Sequence, residues 1–375
     1  MGEIGVAAAK KVENWLSTRA MPFWLAHGVD RRHGGYVERF SLSGAPEDPG
    51  FKRCRVNARQ LYVFSHASLM GFGEAAERAA AGHRFFVDKF HLGGGRWARR
   101  VSVSGEVVDA KQDLYDLAFV MFGLGWWAKA SGDASAVRLA RETLETARRD
   151  LRHPSGEGYL HEAGAGAPYQ QNPHMHLMEA MLVLAELSGE AIFLEEAHAL
   201  YRLARDRFVA GSGTLAEFFG DQWARPATVR IEPGHHYEWT WLLKRYRDAG
   251  GPKEAEELAQ TLFGFANRSG VDSANGLIWD AVDATGAIVE SDHRIWAQLE
   301  AIKACIAMNE IDGRDWETPA ARLVEALLAH YLDPAHPGLW IDHLTKDLNP
   351  RAEFAPTSTF YHVCLSFSEV LRAAG

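Results

Sequence analysis

One short pattern recurs six times along the 375 residues and constrains the fold more than any other feature. A glycine is followed by apolar or aromatic residues, then by charged ones, and often by a second glycine. It reads GGYVERFSLSG from Gly34, GGRWARRVSVSG from Gly94, GEGYLHEAGAG from Gly156, SGTLAEFFGDQ from Ser212, NGLIWDAVDATG from Asn275 and PGLWIDHLTKD from Pro337. The matching glycines are Gly35, Gly95, Gly158, Gly213, Gly276 and Gly338, spaced 60, 63, 55, 63 and 62 residues apart. Self-similarity at a nearly fixed period marks a repeat architecture, because one such unit cannot bury its apolar face alone. Each copy alternates apolar and polar residues around a turn, so each predicts a short hairpin or extended loop.

Between the copies, apolar residues return at helical spacing, as in Met178, Met181, Leu182 and Ala185. Twelve helices are expected, over 4–28, 54–71, 74–90, 112–130, 133–150, 172–188, 191–209, 235–249, 253–268, 293–309, 315–332 and 357–373. Many ends are punctuated, as at Gly132-Asp133 and Gly251-Pro252. Two helices per repeat can stack as an open solenoid or close into a ring. A solenoid wants polar caps at its ends, yet the last helix is as apolar as any other (Phe360, Val363, Leu365, Phe367, Val370). The pattern therefore predicts an all-α chain, one domain over residues 1–375, folded as an (α/α)6 barrel of twelve helices with short β-hairpins at one mouth.

The helices divide by composition. Those that follow a hairpin open with reactive or sugar-binding side chains: Arg55, Asn57 and Arg59; Asp113 and Tyr115; Asn172, His174 and His176; His235, His236 and Glu238; His293, Arg294 and Trp296; Tyr361 and His362. The others are plain, such as EAAERAAAGHRFFVDKF and KEAEELAQTLFGFANR. The first set is expected to form an inner ring whose N-termini converge on one mouth. Convergent polar groups on an aromatic floor are the usual form of a small-ligand site, and helix N-termini favour a bound oxyanion.

Bulk properties exclude some partners. A net charge of −9 argues against nucleic acid and anionic membrane surfaces, which want a basic face. No run of eighteen apolar residues occurs, so no membrane span is expected. Cys54, Cys305 and Cys364 are sparse and lack metal-ligand spacing, as expected of buried thiols in a reducing compartment. MGEIGVAAAKKVENWL reads as an amphipathic helix rather than a signal peptide, which points to the cytoplasm.

Several strings carry chemistry. In EPGHHYEWTWLLKRY, 232–246, Pro233-Gly234 predicts a turn and His235 the helix start, with Glu238 three residues on and on the same face. A carboxylate there can orient the imidazole and raise its basicity; a helix cap with a satisfied histidine is the plainer alternative. His362, in TSTFYHV, is either a core histidine or a group across the mouth from the others. Asn172 and His176 are four apart and share a face. His174, His176, His235 and His236 raise the question of a metal. A hard divalent ion wants several carboxylates, and the interleaved Glu of a zinc peptidase helix is missing, so no metal is expected. No phosphate-cradling glycine loop is visible, and no cofactor is expected. Arg59 lies in apolar VNARQLYVFSHA, where it is either salt-bridged or buried against an anion or oxygen ligands. Trp296 and Glu300, in DHRIWAQLEAIKA, are core residues or the wall of a sugar site.

Taken together, ARQLYVFSHA (58–67), NPHMHLMEAML (172–182), PGHHYEWTWLL (233–243), IWAQLEA (295–301) and STFYH (358–362) resemble the acylglucosamine 2-epimerase superfamily over essentially the whole chain. The likeness is strongest to its mannose isomerase and related aldose–ketose isomerase members. The resemblance implies an (α/α)6 barrel, in agreement with the repeat. It implies His235 and His362 as the acid/base pair, Glu238 as support for His235, and Arg59, Asn172, His176 and Trp296 as substrate contacts. Tyr115, Glu300 and Arg225, the last ten residues before His235, would be further sugar contacts. Within the superfamily, the acylglucosamine epimerases follow the last histidine with Pro-Arg, where this chain has His362-Val363-Cys364; cellobiose epimerases usually lack a Trp after the Glu, where this chain has Trp239. Both departures favour the isomerase branch.

The expected chemistry is proton abstraction beside a carbonyl, which needs a base of near-neutral pKa and donors for the enediolate oxygens. One histidine would open the sugar ring; the other would carry a proton from carbon 2 to carbon 1, with His362 favoured for the transfer. The alternative outcome is an N-acylglucosamine or other sugar 2-epimerase. A glycoside hydrolase would need two opposed carboxylates, and a sugar binder would lack turnover. The expected partner is a small sugar; a homodimer is compatible with the sequence.

Overall fold

The computed structural model describes residues 2–334 and 336–375. Among them, twelve helical rods alternate in the order the repeat predicts. Helix α1 joins Glu3–Trp15 to Met21–His27 through a π-helical turn, Leu16–Ala20. Then come α2 (Cys54–Leu69), α3 (Ala75–Phe90), α4 (Leu114–Ser131), α5 (Ala134–Asp150) and α6 (Asn172–Ser188). Helix α7 (Ala191–Leu203) ends in a second π turn, Ala204–Phe208, and is followed by α8 (Pro233–Asp248), α9 (Glu254–Ser269) and α10 (Ile295–Asp312). Helix α11 (Glu317–Ala326) runs into a third π turn, Leu327–Tyr331, and α12 (Phe360–Ala374) follows a 3-10 turn at Thr357–Thr359. Helix α8 begins two residues before the expected 235. Pro233 takes the first helical position, where its fixed φ is pre-organised and its missing N–H is not needed.

The even-numbered helices form the inner ring. Each packs on the next, from α2 round to α12, and α12 returns to α2. Each odd helix from α3 to α11 backs the inner helix before it, and α1 packs on α11 and α12. Burial explains the division of labour. Helix α4 is buried on every side through Leu117–Leu124, whereas α5 buries only the stripe of Ala136, Val137, Ala140, Thr143, Leu144, Thr146 and Ala147. An apolar side chain fully removed from water contributes about 1.5–3 kcal/mol, so a helix that is apolar all round has no stable place outside the ring.

Short antiparallel pairings make a collar at one mouth. The segment entering each inner helix pairs with the next hairpin: Lys52 with Val101, Asp113 with Glu162, Gln170 with Phe218, Ile231 with Val282, and Arg294 with His343. The sixth such segment returns to the first hairpin, Ala355 opposite Phe40, which closes the toroid. The six repeat glycines all have φ between +67° and +86°, a left-handed conformation open to glycine at little cost. At Gly95 a Cβ would also lie 2.2 Å from the Glu142 carbonyl oxygen of α5. The period seen in the sequence is thus a backbone requirement. The three cysteines are buried free thiols, and no helix among the described residues is long and apolar enough to cross a membrane.

Candidate active site

At five of the hairpins a side chain in the following inner helix, or in the segment entering it, accepts a hydrogen bond from the N–H one or two residues after the repeat glycine. Asn57 takes it from Tyr36, Gln112 from Trp97, His174 from Tyr159, His236 from Leu215 and Gln298 from Ile278. The other ring nitrogens of His174 and His236 meet the carbonyls of Gln170 and Glu232. Burial lowers both histidines to about 3, so they stay neutral. These two histidines brace the collar and have no ring nitrogen left for a ligand.

The remaining polar openings of the inner helices converge. Arg59, Tyr115, Asn172, His176, His235, Glu238, Trp296 and His362 line one cavity of about 260 Å³, together with Glu232, Arg294 and Thr359. An adjoining cavity of about 380 Å³ shares Arg59, Tyr115 and Asn172 and is further lined by Arg55, Asp113 and His161. Trp296 stands beside two of the three cavity histidines, its ring centroid 4.9 Å from that of His235 and 5.9 Å from that of His362. Gly234 makes room for it, since a Cβ there would lie 2.5 Å from the indole.

The two histidines have opposite surroundings. His235 Nδ1 lies 2.8 Å from Glu217 Oε2 and 3.9 Å from Glu232 Oε2. Burial disfavours its charge, but the two carboxylates outweigh that and raise it to about 9. His362 Nδ1 lies 2.7 Å from Glu300 Oε1. Burial, reinforced by Arg59, Lys303 and His235, holds it well below the usual histidine range. In both rings the carboxylate takes Nδ1 and leaves Nε2 toward the cavity. These surroundings favour the protonated form of the first ring and the neutral form of the second at neutral pH.

Arg59 is buried. It donates to the Tyr115 hydroxyl (2.6 Å) and the Ser358 carbonyl (3.2 Å), lies 4.0 Å over the Phe119 ring, and keeps Nε without a partner. Asn172 Oδ1 is likewise unpartnered. His176 Nδ1 sits 3.3 Å from Glu179 Oε2, which also accepts from the Tyr361 hydroxyl. Burial lowers His176 to about 3.

Three expectations need correction. Glu238 makes no hydrogen bond or ion pair with His235, although its charge is among those that favour the protonated ring. Helical side chains lean toward the N-terminus, so the His235 ring reaches up to the collar, where Glu217 waits, while Glu238 lies a turn deeper, 3.7 Å from His176 Nδ1. Its carboxyl is raised well above the ordinary range by burial and by neighbouring Glu300 and Glu179. Glu300 does not line the cavity; it holds His362 from behind. Arg225 is absent from the cavity: its guanidinium ties down the Phe208 and Thr214 carbonyls and the Thr214 hydroxyl.

Glu217 escaped the motif reading, although the repeat carried its signal. An acid stands four residues after Gly213, Gly276 and Gly338, as Glu217, Asp280 and Asp342. Asp280 accepts from the Arg294 backbone N–H (2.8 Å) and Asp342 from the Thr359 hydroxyl (2.6 Å), so each grips the entry to an inner helix. Three sets, His176–Glu179–Glu238, Glu217–Glu232–His235 and Glu238–Glu300–His362, bring donor atoms within 4.8 Å of one another. Four of the five carboxylates are already engaged, Glu179 by Tyr361, Glu217 by Gln171 and His235, Glu232 by Arg230, and Glu300 by Lys303, while Glu238 Oε1 has no hydrogen-bond partner. That donor chemistry fits proton handling better than a hard cation.

Known proteins resemble this chain in sequence and in fold. Residues 35–366 match the family model for N-acylglucosamine 2-epimerase (GlcNAc 2-epimerase). A mannose-6-phosphate isomerase of Rhizobium meliloti (strain 1021) is 31% identical over 96% of both chains. A cellobiose 2-epimerase of Bacteroides fragilis is 26% identical over 78% of this chain and 80% of its own. A crystal structure of D-mannose isomerase superposes with a TM-score of 0.89 over 97% of each chain at 20% identity, which speaks to the fold. The protein is an (α/α)6 barrel that belongs to the N-acylglucosamine 2-epimerase family of sugar epimerases and isomerases.

Proposed function

We propose that this chain is an aldose–ketose isomerase that interconverts an unphosphorylated aldohexose such as D-mannose with D-fructose through a cis-enediol. The observation that carries this reading is that two of the cavity histidines, beside one tryptophan, have opposite surroundings, which favour the charged ring of His235 and the neutral ring of His362. Paired groups whose environments push their pKa values apart mark acid and base roles.

The cycle follows from those states. His235 gives its proton to the ring oxygen and recovers one from the carbon 1 hydroxyl as the ring opens. His362 Nε2 takes the proton from carbon 2, and the electron pair moves to the carbonyl oxygen. Arg59, with helix N-termini around it, stabilises that oxygen. As the enediol collapses, His362 returns the proton to carbon 1 while the oxygens exchange theirs through His235. Asn172, His176, Tyr115 and Trp296 hold the sugar. The preference for an unphosphorylated sugar rests on charge: Arg55 is committed to Asp113 and Asp116, which leaves Arg59 as the cation at the adjoining cavity without a carboxylate partner.

The test incubates the protein in heavy water with mannose, fructose, glucose, lyxose, N-acetylglucosamine and mannose 6-phosphate, with and without chelator. The expected products are ketoses, with deuterium at carbon 1 to the extent that His362 exchanges with solvent. Turnover of the phosphorylated sugar alone overturns the substrate class. The second reading, a 2-epimerase, draws on the cellobiose 2-epimerase relative; it is favoured by an epimeric aldose carrying deuterium at carbon 2 with no ketose.

A further inference from the structure

We infer that Lys303 is a positioning residue for the proton-transferring histidine: its ammonium fixes the Glu300 carboxylate that in turn orients the His362 ring. The inference rests on the proposed role of His362 and adds the group that keeps it in working form. Lys303 Nζ lies 2.7 Å from Glu300 Oε2, and Glu300 Oε1 lies 2.7 Å from His362 Nδ1. Lys303 and Glu300 are one turn apart on α10, and both are wholly buried, at 0% exposure. The ammonium also sits 4.1 Å over the Trp241 ring.

Stability is a weak reason to keep such a pair. Replacing a buried ion pair with apolar groups of similar volume is often neutral or stabilising. The pair does control a proton. Around it stand Glu238 on α8 and Glu179 on α6, with Arg59 on α2 and His235 on α8 as cations, and Tyr361 on α12 as an uncharged polar group. Burial pushes Glu300 toward its neutral form, and Lys303 is the foremost opposing influence. While Glu300 is ionised it can only accept, so Nδ1 carries the ring proton and Nε2 is the base. If Glu300 takes a proton, its O–H donates to Nδ1. The ring proton then resides on Nε2, and that nitrogen can no longer take the carbon 2 proton. A wrong tautomer of this kind disables a triad histidine while leaving its geometry intact.

The experiment compares K303M and K303R with the unaltered protein. Long-range proton–nitrogen spectra, with the His362 signal assigned through H362N, should show an Nδ1–H ring in the unaltered protein and in K303R, and an Nε2–H ring in K303M. On the aldohexose the protein turns over, K303M should lose about 10²–10⁴-fold in kcat, with KM unchanged. The loss should ease as rising pH ionises Glu300, and K303R should restore turnover. A purely structural lysine would lower the melting temperature without moving the tautomer or the pH profile. An Nδ1–H ring in K303M overturns the inference. If K303M does not fold, K303Q carries the same comparison: the Nε2–H form supports the inference and the Nδ1–H form ends it. The spectrum needs no substrate, so failure of the isomerase reading and failure of this one are told apart.

Discussion

The Glu217–His235 pair makes a stability claim as well as a catalytic one. The rise of His235 from its ordinary 6.5 to about 9 corresponds to about 3 kcal/mol favouring the protonated ring in the folded protein. Because the folded value lies above the unfolded one, this stabilisation is complete below about pH 6.5 and disappears as pH climbs through 9. In E217Q the nearest carboxylate becomes a neutral amide, and Glu232, at 3.9 Å, is the main remaining counter-charge against full burial. The pH-dependent contribution should then shrink to about 1 kcal/mol or less. Urea unfolding at pH 6 and pH 9.5 measures it in both proteins, and groups that titrate alike in the two cancel when the losses are subtracted. The unaltered protein should lose about 2 kcal/mol more than E217Q. Equal losses would refute the assignment of Glu217 as the charge that holds His235 protonated. In parallel, E217Q should lose turnover near pH 7, since the acid is no longer charged there.

Other outcomes follow from the same contacts. The pH profile of kcat/KM should hold a plateau whose alkaline limb lies near 9, where His235 loses its proton, and whose acid limb lies well below 6.5, where His362 gains one; a single limb near 6.5 would contradict the split. H362N should lower kcat by about 10²–10⁴-fold while a bound sugar still raises the melting temperature, which separates chemistry from binding. G234A forces a Cβ against Trp296 and should cost about 1–3 kcal/mol in unfolding experiments, with KM raised as the indole moves. R225M should lower the melting temperature and leave KM unchanged, because Arg225 serves loop carbonyls outside the cavity.

Much of the architecture was legible because it is written in local rules. A glycine at φ near +70° must be glycine wherever a collar turn recurs, so the period survives in the sequence. Helices buried on all sides read differently from helices buried on one stripe, so inner and outer rods separate by composition alone. The polar openings of the inner helices pointed to one mouth, and eight of the ten expected site residues do line a single cavity there. Arg225 was misplaced because it lies in an irregular loop, where spacing to a motif says little about direction. Glu300 belonged to the site but one layer behind it.

The sixfold period, the twelve helices and their division into two rings can be read from the chain alone, because backbone conformation and burial pattern act over a few neighbouring residues. Which carboxylate serves which histidine is set only when the barrel closes. Glu217 reaches His235 from eighteen residues away on the collar, and Glu300 reaches His362 across 62 residues from the neighbouring helix. The state of each ring depends on charges and burial summed over every element that faces it. That sum exists only once the barrel has closed around the cavity, and it drives two histidines of the same intrinsic basicity toward opposite protonation forms.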